Sequence, residues 1–245
     1  GDSLIGTSRS DPMLPNLEAA TVQGLEDDLK IIVKRLTGPL SALDIVTISG
    51  MGGIGKTTLA RKAYDHLTIR YHFDLHIWVT ISQEFRFRTV LLHALHCISK
   101  HTNIFNANDY DKMKDSELAD LVQKKLKGRR YLVVEYFPSS RILLTTRETA
   151  VAMYVDSTSP HHMNLLNLEN SWKLLRDNVF GPENDHPHEL EKIGKEIVEK
   201  CKGLPLTILV IAGYLSKMAR TLETWKDVVR ILGEIIASHP DKCLG

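Results

Sequence analysis

The chain has 245 residues, 43% hydrophobic and 25% charged, with a formal net charge of +1. That supports one large or two small globular domains and excludes a global field that would draw the chain to nucleic acid or a membrane surface. Cys97, Cys201 and Cys243 are few and far apart, which excludes a disulfide scaffold or zinc site and points to a reducing, cytoplasmic compartment; no apolar run reaches membrane-spanning length and no signal peptide is present.

Residues 1–16 are polar and read as a linker or cloning remnant. Leu25, Leu29, Ile32, Val33 and Leu36 mark one face of a helix that Gly38-Pro39 ends. A strand follows at 44–49, then a glycine-rich turn and a helix to about Tyr71. His76–Ile81 reads as a buried strand, Val90–Ile98 as part of a helix, and 101–114 as a polar loop. Asp115 or Ser116 caps the next helix, and Tyr131–Val134 and Arg141–Thr145 read as two more buried strands. This alternation predicts an α/β parallel sheet flanked by helices over residues 17–155.

Residues 156–245 read as a small helical bundle. Leu168, Trp172, Leu175 and Val179 share a face, as do Leu190, Ile193, Ile197 and Cys201. Gly203 stops one helix and Pro205 starts the next, whose uniformly apolar Leu206, Leu209, Val210 and Leu215 imply burial. A last helix carries Trp225, Val228, Val229, Leu232 and Ile236. The basic cluster 124–130 reads as a solvated helix end, and His161-His162 and His186-Pro187-His188 as surface loops.

The joint at Gly50–Thr57 is Gly-x-x-x-x-Gly-Lys-Thr between a strand and a helix, the phosphate-binding P-loop. Gly50, Gly52, Gly53 and Gly55 let the backbone around Ile54 curl its N–H groups toward phosphate oxygens, and the helix start adds unpaired donors. Lys56 supplies charge for the terminal phosphates and Thr57 a hydroxyl for Mg²⁺. The motif predicts a purine nucleotide ligand.

One stretch does not fit. Parallel neighbouring strands need a crossover of about a dozen residues or more, yet six residues, Glu135–Ser140, separate Val134 from Arg141. A P-loop ATPase also needs an aspartate at the end of the strand near 134 to hold Mg²⁺, and only Glu135 is available. Three explanations compete: antiparallel strands, a wrong strand assignment, or numbering that runs across disordered or deleted residues around 134–140. The last also accounts for the missing acid and is preferred; a long Cα–Cα step there would support it.

These motifs together resemble the NB-ARC nucleotide switch of plant intracellular immune receptors, the coiled-coil class of NLR proteins within the STAND P-loop ATPases. The resemblance rests on the P-loop, on Phe73–Gln83, on Ser140–Arg147, on Leu165–Phe180 with Ser171-Trp172, and on Cys201-Lys202-Gly203-Leu204-Pro205-Leu206-Thr207. Five blocks in order cover nearly the whole chain.

The resemblance implies that Gly53, Gly55, Lys56, Thr57 and Thr58 hold phosphates, and that Arg147 is a sensor that distinguishes ATP from ADP. It implies that Pro205 packs on adenine while Val22 and Gln23 line the base's other side, although the family reads Val-Gly where this chain has Val22-Gln23-Gly24. A guanidinium suits the sensor role because it reads an added phosphate bidentately. The implied function is a molecular switch in disease resistance and hypersensitive cell death, with ADP bound at rest and ATP with Mg²⁺ bound when active. Hydrolysis would be at most a slow reset. Implied partners are the receptor's own coiled-coil and leucine-rich-repeat domains, and other receptors or a second copy on activation, with no nucleic acid and no integral membrane segment.

The family's winged-helix subdomain is expected after Cys243-Leu244-Gly245, so the chain looks like an excised central module. The competing readings are a working motor-type ATPase, which needs a catalytic acid, and a nucleic-acid module built on residues 124–130.

Overall fold

Apolar residues at helical spacing place Leu25, Ile32 and Leu36 in the core along helix α1 (Glu26–Leu36). The computed structural model describes residues 24–39, 44–79, 86–102, 110, 112–134, 141–156, 159–182 and 185–238. Strand β1 (Asp44–Ser49) leads through the P-loop into α2 (Lys56–Asp65) and α3 (Leu67–His72). The single helix expected to Tyr71 is thus broken: His66 is extended (ψ 131°), and its Nδ1 accepts the Thr68 N–H at 3.2 Å to start a new helix.

Next come β2 (Leu75–Trp78), α4 (Phe87–Thr102), α5 (Asp115–Leu126), β3 (Tyr131–Val134), β4 (Arg141–Thr146), α6 (Thr149–Val155) and β5 (His161–His162). Asp115 and Ser116 do not cap α5. Lys114 holds the cap position, and its N–H donates to the Glu117 carboxylate at 2.7 Å.

The sheet has the order β2-β3-β4-β1-β5, and every pair is parallel. One face packs Leu91, Leu95, Leu118 and Val122 against Leu75, Ile77 and Val133. β3 and β4 are neighbours in parallel register, with Leu132 opposite Arg141 and Val134 opposite Leu143. That overturns both the antiparallel and the wrong-assignment explanations of the short connection. Of the three explanations, that residues are omitted around 134–140 is the one left. The Cα–Cα test falls on residues outside those described.

β5 covers β1 only at Ile48 and Ser49. Beyond it, the Thr47 N–H donates to the buried Asp156 carboxylate at 3.0 Å, which also takes Arg35 Nη2 at 2.8 Å. His161 is therefore not in a surface loop: it belongs to the sheet, with Nε2 2.8 Å from Asp28 Oδ1. The buried guanidinium of Arg141 donates to the carbonyls of Arg35, Gly38 and Pro39, closing the C-terminal end of α1.

The chain divides into two units, Gly24–Leu165 and a helical unit from Leu166. The ten residues after 155 thus lie with the sheet, later than the expected boundary. The helical unit comprises α7 (Leu168–Phe180), α8 (His188–Lys200), α9 (Pro205–Leu215) and α10 (Leu222–Ser238), around Trp172, Leu175, Ile197, Ile208, Leu215 and Trp225. His186 is packed rather than exposed, edge-on to Trp172 at 5.3 Å. α9 is not buried all round: Leu206, Val210 and Tyr214, four residues apart, are exposed. Among the described residues no helix is long and apolar enough to cross a membrane.

Candidate nucleotide site

Beyond Ser49 the backbone passes through three glycines at positive φ: Gly50 at 146°, Gly53 at 77° and Gly55 at 104°. Side chains rarely adopt these angles, which is why the curl needs glycine. Gly55 is the N-cap of α2 and Lys56 its first residue, so the free N–H groups of the first turn follow the loop directly. Ile54 is buried and anchors the loop.

Lys56 Nζ donates to the carbonyls of Gly50 at 2.7 Å and Met51 at 2.8 Å. Partial burial and, secondarily, the charge of Arg147 hold its ammonium below the ordinary lysine range. Arg147 follows Thr146, which pairs with Ser49 of β1, so the register brings it to the loop. A Cβ built on Gly52 would stand 3.7 Å from Arg147 Cζ and Nε. The fold therefore brings together Gly50, Gly52, Gly53, Ile54, Gly55, Lys56 and Arg147, with Thr57 and Thr58 next in α2. Thr57 is exposed and Thr58 half-buried.

Pro205 lies in the helical unit as the first residue of α9. The turn before it is fixed by Gly203 (φ 71°), whose carbonyl accepts the Leu166 N–H at 2.9 Å. Val22 and Gln23 lie outside the described residues.

Sequence reasoning missed the loop's backing. Met163 is buried, its N–H donates to the Ser49 carbonyl at 2.9 Å, and its Cε lies 3.7 Å from where a Gly55 Cβ would stand. The Ser49 hydroxyl meets His162 Nδ1 at 3.2 Å. A two-residue strand has no periodicity to read.

The basic cluster 124–130 spans the last turn of α5 and the turn before β3. Its Arg130 is engaged with Asp74 at 3.1 Å and holds that carboxyl below the usual range by hydrogen bonding.

A Mg²⁺ ion beside a P-loop takes the loop hydroxyl and an acid at the end of the neighbouring strand. Thr57 supplies the hydroxyl. β3 ends on Val134, and the connection Glu-Tyr-Phe-Pro-Ser-Ser holds no aspartate. Glu135 lies outside the described residues, and among those described no group of three His, Cys, Asp or Glu could hold a metal. The donor set does not fit the ion.

The NB-ARC domain model matches residues 25–135 and 137–185, breaking at 136. The chain is 34% identical over 237 residues to a late blight resistance protein homolog of Solanum demissum, covering 89% of this chain and 19% of that protein. It is 35% identical over 237 residues to disease resistance protein RPP13 of Arabidopsis thaliana, covering 86% of this chain and 27% of that one. It thus spans only about a fifth to a quarter of these relatives. The crystal structure of Cdc6p from Pyrobaculum aerophilum is similar in fold, with a TM-score of 0.56 at 14% identity over 81% of this chain and 61% of that one.

Proposed function

The chain belongs to the NB-ARC family, and from that premise we propose that it is the nucleotide-dependent switch of a plant disease-resistance protein, resting with ADP and active with ATP. The observation that carries this is the convergence of Lys56 and Arg147 on one glycine loop at the start of α2. The N–H groups of 53–58 and the Lys56 ammonium take the α- and β-phosphates. Arg147 is placed to respond to a third phosphate, and a differential contact of that kind is the only way a nucleotide can bias two states of a switch. Pro205, with Val22 and Gln23, takes the adenine.

The switch acts in the cytoplasm and reports to the coiled-coil and leucine-rich-repeat domains of a longer receptor, and on activation to other receptors or a second copy. Thr57 offers a loop hydroxyl of the kind that an ATP-bound Mg²⁺ takes, with no aspartate in the connection after β3 to complete the site.

The test is to denature the purified protein and identify the released nucleotide by chromatography, beside Lys56→Ala. Stoichiometric ADP from the wild type and little from the variant is the expected result. A nucleotide-free protein that turns over ATP rapidly would sink the retained-ADP reading.

A further inference from the structure

β3 and β4 lie side by side and parallel, and the chain must return from the end of one to the start of the other. Arg141 stands opposite Leu132, two residues behind Val134. The return is roughly 6.6 Å back along the strand and about 4.8 Å across. Six residues can cover that distance, but they cannot contain the helix that usually makes such a crossover. The family match also breaks inside this connection, at 136. The strand ends keep parallel register across a connection too short for the usual helix.

This connection is where a P-loop protein carries its metal-binding aspartate, and here it carries none. The cationic half of the site is intact. Lys56 and Arg147 both meet the loop, and β4, which Arg147 directly follows, is held to β1 along six residue pairs. A diphosphate there would meet the Lys56 ammonium and the N–H groups of the α2 start, with no carboxylate from β3 for a metal to bridge.

Resting on the nucleotide reading above, we propose that this chain holds a nucleoside diphosphate through Lys56 and backbone N–H groups alone, independently of a divalent cation, and retains nucleotide without hydrolysing it. The Lys56 ammonium and the helix-start N–H groups take the place of the ion. The affinity then depends on Lys56 more than on Mg²⁺, and it falls as salt rises.

The test is calorimetric titration with ADP of the 245-residue chain after its retained nucleotide has been removed, in excess Mg²⁺ and again in excess EDTA, with chromatography to show that each sample is nucleotide-free and a melting curve to establish that it is folded. The expected result is dissociation constants that agree within about twofold, and a loss of about tenfold or more in both conditions for Lys56→Ala, the value of one charge-assisted hydrogen bond. ATP incubated with Mg²⁺ and the protein is recovered intact. Tightening by about tenfold or more with Mg²⁺ overturns the inference while leaving the nucleotide reading standing, and its loss in Glu135→Gln would identify that acid as responsible. No heat with ADP in either condition, from folded protein, overturns the nucleotide reading itself.

Discussion

The guanidinium of Arg147 lies over the backbone of Gly52, its Cζ 3.7 Å from where a Cβ on that glycine would stand. The contact joins the end of β4 to the loop after β1, so a cation read by phosphate is attached to the strand next in the sheet. Lys56 is held to the same loop from the other direction by the carbonyls of Gly50 and Met51. The Lys56 ammonium shares the loop with a second cation because two carbonyl oxygens accept from it.

Removing Arg147 should raise the Lys56 titration. The arginine charge depresses the lysine, so Arg147→Ala leaves only partial burial acting on the ammonium. Following the Lys56 Cε signal by NMR against pH checks this. An unchanged midpoint would show that the two cations are not electrostatically coupled.

Gly194→Ala should destabilise the helical unit. A Cβ at 194 would stand 2.0 Å from Trp172 Cζ3 and 2.7 Å from Cε3, at the crossing of α7 and α8. Trp172 is buried against His186 and cannot give way without losing that packing. A loss of about 1–3 kcal/mol is expected, the usual cost of overpacking. Urea unfolding of the variant, followed by tryptophan fluorescence, measures it. An unchanged midpoint would mean that α8 shifts freely against α7.

The sheet strands and the P-loop were legible because they are apolar runs joined to residues whose chemistry allows few alternatives: Ile45–Ile48, Gly50–Thr58 and Arg141–Leu144 each announce themselves. β5 was not, because two histidines carry no alternation and become a strand only when β1 offers an edge. His66 broke a helix that the apolar spacing ran straight through, since its ring captures the Thr68 N–H. The burial of α9 was overestimated for a different reason. A helix apolar on every side has no moment to show which face is covered, and Leu206, Val210 and Tyr214 are exposed. The parallel register of β3 and β4 could not be read from six intervening residues, because general crossover lengths argue against it.

Asp156→Ala should cost about 2–3 kcal/mol in the sheet unit, as expected when a buried carboxylate that accepts from a guanidinium and a backbone N–H is removed. The carboxylate is buried and serves both Arg35 and the Thr47 N–H. Its loss leaves the Arg35 guanidinium on the Ser159 carbonyl without its carboxylate, and the Thr47 N–H without its acceptor at the edge of β1 where β5 does not reach. Urea unfolding followed by circular dichroism reads the stability, and native-state hydrogen exchange at the Thr47 amide reads the local effect. Exchange at Thr47 as slow as in the wild type would show that another group has taken over its acceptor.

Cys201 should make stability fall with rising pH in a window set by its own burial. Its thiol donates to the Ile197 carbonyl at 3.2 Å, and desolvation pushes its pKa up from 9.0 to about 12. A raised folded pKa means that the neutral thiol's contribution is complete below the unfolded value. It is lost as pH rises from there through the folded value, because the unfolded chain ionises first. The slope is about 1.4 kcal/mol per pH unit within the window. Lysines and tyrosines titrate there too, so the measurement is the difference in unfolding free energy between the wild type and Cys201→Ala across that range. The wild type should lose ground steadily against the variant, and its Cys201 should resist alkylation until the helical unit unfolds. Parallel pH profiles for the two proteins, or rapid alkylation of Cys201 in the folded state, would show that the thiol is reached by solvent.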